Sequence, residues 1–215
     1  MTSRAAVLGS SVVAFADGFT AQEQEDVLSS LSFSQAKASD TYDRFKQPEQ
    51  WLNEFGMSLI HLDWVADTEV FNAVVPNKKY YLSLEQAALE HLTVLKSPAL
   101  VSVITRALQA MRLDTFAKGL LESHSGSGQL SSVQYVPCER RGGKDSYMYV
   151  SFLHATAITR DKKPVHNAQQ RVWALDVLSG GIGFYLQHEA YAQHRERVLK
   201  HLEDSQVSSA QNIKL

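Results

Sequence analysis

The only cysteine in the chain is the first residue whose chemistry needs an interpretation. Cys138 stands two and three positions before Arg140 and Arg141. Neighbouring positive charges lower a thiol pKa and favour the nucleophilic thiolate. A cysteine nucleophile also needs a positioned base, and nothing near Cys138 in the sequence identifies one. We therefore predict that Cys138 packs as a structural side chain, and we keep a nucleophile or a modified thiol as alternatives.

The glycine pair after Cys138 superficially suggests a phosphate-binding loop. Such a loop places its glycines at the start of a helix, whose backbone N–H groups face the phosphates. Here Gly142, Gly143 and Lys144 lead into Asp145 and an apolar run, which favours a hairpin turn. The basic residues of this region either keep the hairpin soluble or form an edge that binds an acidic surface, and the predicted binding residues are Arg140, Arg141, Lys144, Arg160, Lys162 and Lys163.

Eight histidines raise the question of a metal or acid–base site. His61 and Asp63 alternate with apolar residues, so one strand face would carry both, as a base and the group that orients it. His194 and His201 are seven positions apart, whereas a helical metal site normally uses a spacing of four. We predict no metal site and no cofactor. The weak catalytic candidates are His61, Asp63 and Cys138, and none of the common enzyme motifs occurs.

Composition restricts the class of protein more than any motif does. The chain has 215 residues, a formal net charge of −2 and 44% hydrophobic residues, as expected for one ordinary globular domain. A near-neutral charge gives no reason to expect nucleic-acid binding. A single cysteine makes no disulfide within the chain, which agrees with a cytoplasmic location. Export without a cleaved signal peptide is the alternative.

The charges are unevenly distributed along the chain. The first 70 residues hold 11 acidic and 4 basic side chains, whereas the remaining residues hold 12 and 17. Opposite charges of this kind are neutralised within one fold or between copies that associate head to tail.

The first half of the sequence predicts helices between two strand regions. Residues 5–15 favour one strand with a bend at Gly9. Thr20 and Glu23 form a capping-box pattern, Pro48 starts a short helix that Gly56 ends, and residues 57–66 and 69–75 alternate like a strand pair. Three helices follow, over 83–95 with a second capping box at its start, over 97–112 and over 114–124. A flexible joint is predicted at 125–128.

The last third predicts a four-strand meander and a final helix. The strands cover 129–138, 146–158, 169–178 and 183–191, with glycine-rich turns at 139–145 and 179–182. The helix over 190–204 would bury Tyr191, Val198, Leu199 and Leu202. The sequence therefore predicts a single α+β domain over 1–215. Its sheet is largely antiparallel, with the C-terminal meander and the earlier strand pair, and amphipathic helices pack on it.

These observations favour a non-enzymatic interaction protein that forms a homo-oligomer. Its binding surface would combine an exchanged terminal strand with complementary acidic and basic faces. One version is a bacterial toxin or virulence protein that acts on a membrane surface, with the apolar helix over 99–113 as the segment to examine. The alternative, from a different class, is an enzyme or small-molecule-binding protein with a site near His61 and Asp63.

Overall fold

The structure, a computed structural model, describes residues 4–81, 89–90, 92, 97–127, 130–142, 145–161, 171–205 and 210–214. Side chains are described for these residues except at 68–81, 127, 157–161, 171–176 and 214. The predictions for Lys144, Lys162 and Lys163 therefore lie outside the described residues. Of the predicted helix over 83–95, only Leu89, Glu90 and Leu92 are described, and these three are helical.

The described elements are five helices and eight strands. The helices are α1 (Ala21–Thr41), α2 (Pro48–Ile60), α3 (Pro98–Leu113), α4 (Thr115–Ser125) and α5 (His188–Asp204). The strands are β1 (Arg4–Leu8), β2 (Ser11–Phe15), β3 (Trp64–Tyr81), β4 (Gly126–Ser127), β5 (Leu130–Arg141), β6 (Asp145–Asp161), β7 (Arg171–Leu186) and β8 (Gln211–Lys214).

All eight strands belong to one sheet. Seven lie in the order β3-β7-β6-β5-β2-β1-β8, and the two-residue β4 pairs with β5. The β2–β5 pairing is parallel, and the other pairings are antiparallel. The predicted α+β class with a mostly antiparallel sheet is confirmed. Because β8 pairs with β1, the two ends of the described chain meet at one edge of the sheet.

Helices cover both faces of the sheet, which gives three layers. On one face, α3 and α4 pack on Val7, Val12 and Tyr149. On the other, α1, α2 and α5 pack on a second cluster that includes Val13 and Phe152. Successive strand residues point to opposite faces, so each of the central strands contributes to both clusters. The two faces are thus separated by the sheet.

Local capping chemistry explains where three helices begin. Thr20 accepts a hydrogen bond from the Glu23 backbone N–H and the Glu23 carboxylate accepts one from the Thr20 backbone N–H, as the capping box predicts. Ser97 caps α3 with Pro98 in the first turn, and Asp114 caps α4. The capping box predicted at Thr20 is confirmed, and all three caps depend on residues a few positions apart.

The predicted single strand over 5–15 is wrong, because it folds back on itself. β1 and β2 form an antiparallel hairpin in which Leu8 pairs with Ser11. Gly9 has a φ of 54°, the positive value that a two-residue hairpin turn requires at its first position. The Gly-Ser pair is therefore a turn and not a bend within one strand.

The predicted strand over 57–66 is also wrong. α2 continues through Gly56 to Ile60, and β3 begins only at Trp64. The chain leaves the helix through a turn in which Asp63 has a φ of 62°. The predicted hairpin between 57–66 and 69–75 is replaced by one long strand, β3, which pairs with β7.

The C-terminal part of the sheet has three strands where four are predicted. β7 continues through Ser179, Gly180 and Gly181, so the predicted turn at 179–182 is wrong. A Cβ at Gly181 would lie 2.2 Å from the Tyr149 hydroxyl oxygen, and one at Gly183 would lie 2.2 Å from that of Tyr147. These two glycines leave room for tyrosine rings from the neighbouring strand.

We expect Gly181→Ala to lower the free energy of unfolding by about 2 kcal/mol, the usual size of an overpacking effect. The added methyl group would displace the Tyr149 ring from the core. Urea unfolding measures this. Gly119→Ala is the matched control, because Gly119 lies in α4 with nothing within 4 Å of an added Cβ, and alanine there should stabilise by about 0.5–1 kcal/mol. Equal effects at the two sites would contradict the prediction.

Candidate functional site

Cys138 lies on β5 in the core. It is 0% exposed and packs in the cluster beneath α1 and α2. Its thiol donates to the Val136 carbonyl oxygen at 3.6 Å. Burial raises the pKa of this thiol above its ordinary value, so the neutral form predominates. The structure therefore places Cys138 as a packed side chain without access to a substrate.

The structure does not align His61 with Asp63 on a strand. His61 follows the last residue of α2, and Asp63 lies in the next turn. The Asp63 carboxylate contacts His194 Nε2 at 2.7 Å and accepts a hydrogen bond from Gln193 at 3.0 Å. The bond to His194, and then that to Gln193, lowers the pKa of Asp63. His154 lies apart on β6, where burial lowers its pKa.

Arg140 is held by groups of the same chain. Its guanidinium lies 3.2 Å from the Glu23 carboxylate and donates to the Gly18 carbonyl oxygen at 3.2 Å. The predicted hairpin between β5 and β6 is present, with Arg141 opposite Asp145. Part of the basic hairpin is therefore neutralised by the acidic start of the same chain.

Arg141 lies in a cluster on the opposite face of the sheet. Its guanidinium carbon is 3.4 Å from the centre of the Tyr147 ring, and its Nη1 donates to the Tyr185 hydroxyl at 3.1 Å. It also contacts Glu139 at 2.8 Å and Asp67 at 3.5 Å. Burial raises the pKa of the Tyr147 hydroxyl. Stacking and two carboxylates together fix Arg141 in place.

The remaining predicted binding residues have no described side chains. Arg160 lies in β6, but only its backbone is described, and Lys144, Lys162 and Lys163 lie outside the described residues. The basic binding edge therefore stays a prediction at these four positions.

A second polar cluster joins α1, α5 and the start of β6. Asp26 is 1% exposed, and both of its carboxylate oxygens accept hydrogen bonds from Arg195 at 2.8 Å. His188, the first residue of α5, lies 3.6 Å from Glu23 and 3.6 Å from Asp26. Its Nε2 is 2.8 Å from the Ser146 hydroxyl oxygen. Sequence analysis missed this cluster, whose members come from three distant segments.

Contacts run from the Ser146 hydroxyl to His188 and from His188 to the Asp26 carboxylate, as in the serine–histidine–aspartate triad of a hydrolase. A serine nucleophile must reach a substrate carbonyl while its base takes the proton. Ser146 is 1% exposed, however, and Asp26 is already held by the two bonds from Arg195 and by Gln22 at 2.9 Å. The arrangement ties α5 to α1 and to the sheet.

Two absences apply only to the described residues. No group of three His, Cys, Asp or Glu side chains among them is arranged to hold a metal ion. No described helix combines the length and apolar character that crossing a membrane would require.

A groove of about 370 Å³ lies between α1 and α5. Leucine side chains line it, from β1, α1 and α5: Leu8, Leu28, Leu199 and Leu202. Polar and charged side chains also border it: Arg4, Glu25, Glu203 and Asn212. Leu199 is 39% exposed, so its predicted place in the buried stripe of α5 is wrong. Leu199 lines the cavity between α1 and α5 instead. We call this cavity the groove.

Among the residues whose side chains are described, the most exposed large apolar ones lie where α3 ends and α4 begins. Leu113 is 88% exposed and Phe116 is 66% exposed. Asp114 accepts hydrogen bonds from the backbone N–H groups of Phe116 and Ala117 at 3.1 and 2.9 Å. These two bonds cap the start of α4. We call Leu113 and Phe116 the apolar corner.

The helix over 99–113, which sequence analysis singled out for membrane contact, packs on the sheet. Its apolar stripe is buried: Leu100, Val103, Ile104, Ala107, Leu108 and Met111. Leu113 lies outside this stripe and faces solvent. Most of the apolar character of α3 therefore serves the core.

No protein-family description, curated protein or solved structure matches this chain.

Proposed function

We propose that this protein acts by binding and not by catalysis, as an interaction protein that associates with itself. The observation that carries the proposal is the apolar corner. Exposed leucines are common when they stand singly, but Leu113 and Phe116 are both exposed and lie three positions apart at the junction of α3 and α4, where Asp114 caps α4. Large apolar side chains that are exposed near one another in the fold are typical of binding surfaces.

The chemistry of the polar clusters is consistent with this choice. Cys138 and Ser146 are the two nucleophile candidates considered above, and each is at most 1% exposed. Arg140, Arg141 and Asp26 are held by partners within the chain. These groups stabilise the fold, which leaves the surface to carry the function.

The size of the corner limits what it can achieve alone. Burying one leucine or phenylalanine contributes roughly 1.5–3 kcal/mol, and a micromolar complex needs about 8 kcal/mol. Two side chains are therefore insufficient, and the receiving surface must add contacts and charge complementarity. We expect association that is weak and depends on protein concentration.

The test compares wild type with the double variant Leu113→Ser/Phe116→Ser by sedimentation velocity over a range of protein concentrations. Wild type should gain mass with concentration, and the double variant should stay monomeric with an unchanged melting temperature. Val65→Ser is the matched control, because Val65 is 49% exposed on β3, and it should behave as wild type. Wild type that stays monomeric at the highest concentration overturns the proposal.

Two other predicted surfaces give different outcomes in the same experiment. Exchange of the terminal strand β8 between copies would persist in the double variant, because it depends on the backbone pairing of β8 with β1 and not on the substituted side chains. Contact with a membrane surface would instead leave wild type monomeric and sediment it with anionic vesicles, in a manner that requires Leu113 and Phe116. Either result would replace the proposed corner-mediated association.

A further inference from the structure

We infer that one edge of β1 is a binding site for an extended protein segment, and that β8 fills this site within the same chain as a removable strand. We call the side of β1 (Arg4–Leu8) that faces away from β2 the β1 edge. A free segment with the side-chain pattern of β8 should bind there when β8 is displaced. This inference goes beyond the proposed self-association, because it involves neither Leu113 nor Phe116.

The strand at the far end of the described sheet is unsuited to accept another strand. β3 lies at that end, and its pairing with β7 is interrupted by three register shifts. It also contains Pro76, which lacks a backbone N–H. Bulges and proline are two of the ways in which proteins keep an edge strand from pairing with another chain.

The strand at the near end, β8, is protected by its length. It has only four residues, and a very short edge strand offers few backbone groups to another chain. β1, the next strand inward, has neither kind of protection. Its pairings with β2 and β8 run without a register shift, and it contains no proline. Removal of β8 would therefore leave a regular row of unpaired N–H and C=O groups.

β1 is also apolar on both faces of the sheet. Ala5 and Val7 are buried in the cluster that α3 and α4 cover, and Ala6 and Leu8 are buried in the cluster on the other face. A second strand at the β1 edge pairs the backbone groups and shields these side chains from water. Such an edge binds an extended segment through main-chain hydrogen bonds, and the side chains of that segment give specificity.

β8 shows which side chains this site accepts. Ile213 lies opposite Ala5 and is buried in the cluster under α3 and α4. The side-chain oxygen of Asn212 accepts a hydrogen bond from Arg4 Nε at 2.9 Å. Arg4 also donates to Gln24 of α1 at 2.9 Å, a contact that does not depend on β8. The bound segment should therefore carry an aliphatic side chain next to an amide.

Few side-chain contacts hold β8 in its place. Of its three residues with described side chains, only Ile213 is buried. A terminal strand of this kind opens locally without unfolding the rest of the protein. Attachment to the same chain nevertheless favours β8, since it gives the strand an effective concentration on the order of millimolar. A free segment should therefore bind well only when the contacts of β8 are weakened.

The test measures binding of a fluorescent peptide with the sequence of residues 210–215, AQNIKL, to the full-length protein. Ile213→Asp weakens the pairing of β8, because it replaces a buried aliphatic side chain with a charge. Gln211→Asp is the matched control, since it makes the same change of charge on β8 at a position that is only partly buried. Ile213→Ser, which adds no charge, is a second variant, and thermal unfolding checks that each protein folds.

Ile213→Asp should bind the peptide at least about tenfold more tightly than wild type does, because the competing strand has lost one buried aliphatic contact. Gln211→Asp should bind as wild type does, and a peptide that carries Ile213→Asp should not bind. Hydrogen exchange locates the bound peptide. Exchange over residues 4–8 should be faster in the Ile213→Asp protein than in wild type, and the peptide should slow it again.

Three results would overturn the inference. The first is a folded Ile213→Asp or Ile213→Ser protein that binds the peptide no more tightly than wild type does. The second is binding that leaves exchange over residues 4–8 unchanged, since the peptide would then lie elsewhere. The third is loss of cooperative unfolding in both variants, because β8 would then be an inseparable part of the fold. None of these results bears on the proposed self-association, which depends on Leu113 and Phe116.

Discussion

Cys138 should react with a thiol reagent at least about 1,000-fold more slowly in the native protein than in the unfolded chain. The thiol is 0% exposed, so the reagent reaches it only when the core opens, and opening of a core strand costs most of the global stability. Burial also raises the pKa of the thiol, which removes the reactive thiolate. Labelling reactions with and without denaturant are quenched at set times and analysed by mass spectrometry, which gives the two rates.

The same thiol should make stability sensitive to alkaline pH. An unfolded thiol loses its proton near pH 8.5, whereas the folded thiol keeps it because its pKa is raised. Above this pH the unfolded chain binds fewer protons, so stability falls by up to about 1.4 kcal/mol per pH unit. Cys138→Ala should remove this contribution, so the advantage of wild type over the variant should shrink as the pH rises. Rapid labelling in the native state, or an advantage independent of pH, would contradict a buried thiol.

Arg195→Met should lower the free energy of unfolding by about 3 kcal/mol. The substitution leaves the Asp26 carboxylate, which is 1% exposed, without the guanidinium that donates two hydrogen bonds to it. Breaking a buried ion pair costs roughly 3–5 kcal/mol, and we expect the lower end because the Arg195 side chain is 32% exposed. Denaturant unfolding at neutral pH gives the value.

A double-mutant cycle separates the ion pair from simple packing. Asp26→Leu/Arg195→Met replaces both charges with apolar side chains, and it should recover a large part of the loss. Lys118→Ala is the control for surface charge, because Lys118 and Glu122 are both more than half exposed at 3.8 Å, and such pairs contribute about 0–1 kcal/mol. An Arg195→Met effect as small as that of Lys118→Ala would show that the cluster does not hold α5.

The elements predicted correctly are those that short-range chemistry defines. Thr20, Ser97 and Asp114 each cap a helix through contacts within three positions. The hairpin between β5 and β6 follows from glycines between two apolar runs. In each case, residues a few positions apart in the sequence determine where the helix or the hairpin forms.

The wrong predictions have specific physical reasons. A helix commonly ends at a glycine with a positive φ, but here Asp63 takes that conformation after α2, and Gly56 lies inside the helix. At Gly181 and Gly183, glycine is required by tyrosine rings of the neighbouring strand and not by a turn. The need for glycine at these two positions becomes visible only once the pairing of β6 with β7 is known.

The polar clusters and the groove depend on tertiary structure in the same way. Asp26 and Arg195 are 169 positions apart, and nothing local to either residue indicates its partner. The corner has a weak signal in Leu113, which lies out of phase with the buried stripe of α3. The sequence could therefore indicate an exposed leucine at the end of α3 but not the groove between α1 and α5.

The parallel pairing of β2 with β5 has a consequence for how the chain reaches its native state. Ser11 and Gln134, which face each other across this pairing, are 123 positions apart, whereas the β1–β2 and β5–β6 hairpins join neighbouring segments. Local hairpins close within about 1–10 μs, but contacts of long sequence separation require the entropy of a large loop first. The two local hairpins should thus acquire order early, and the pairings of long sequence separation, β2 with β5, β1 with β8 and β3 with β7, should set the overall folding rate.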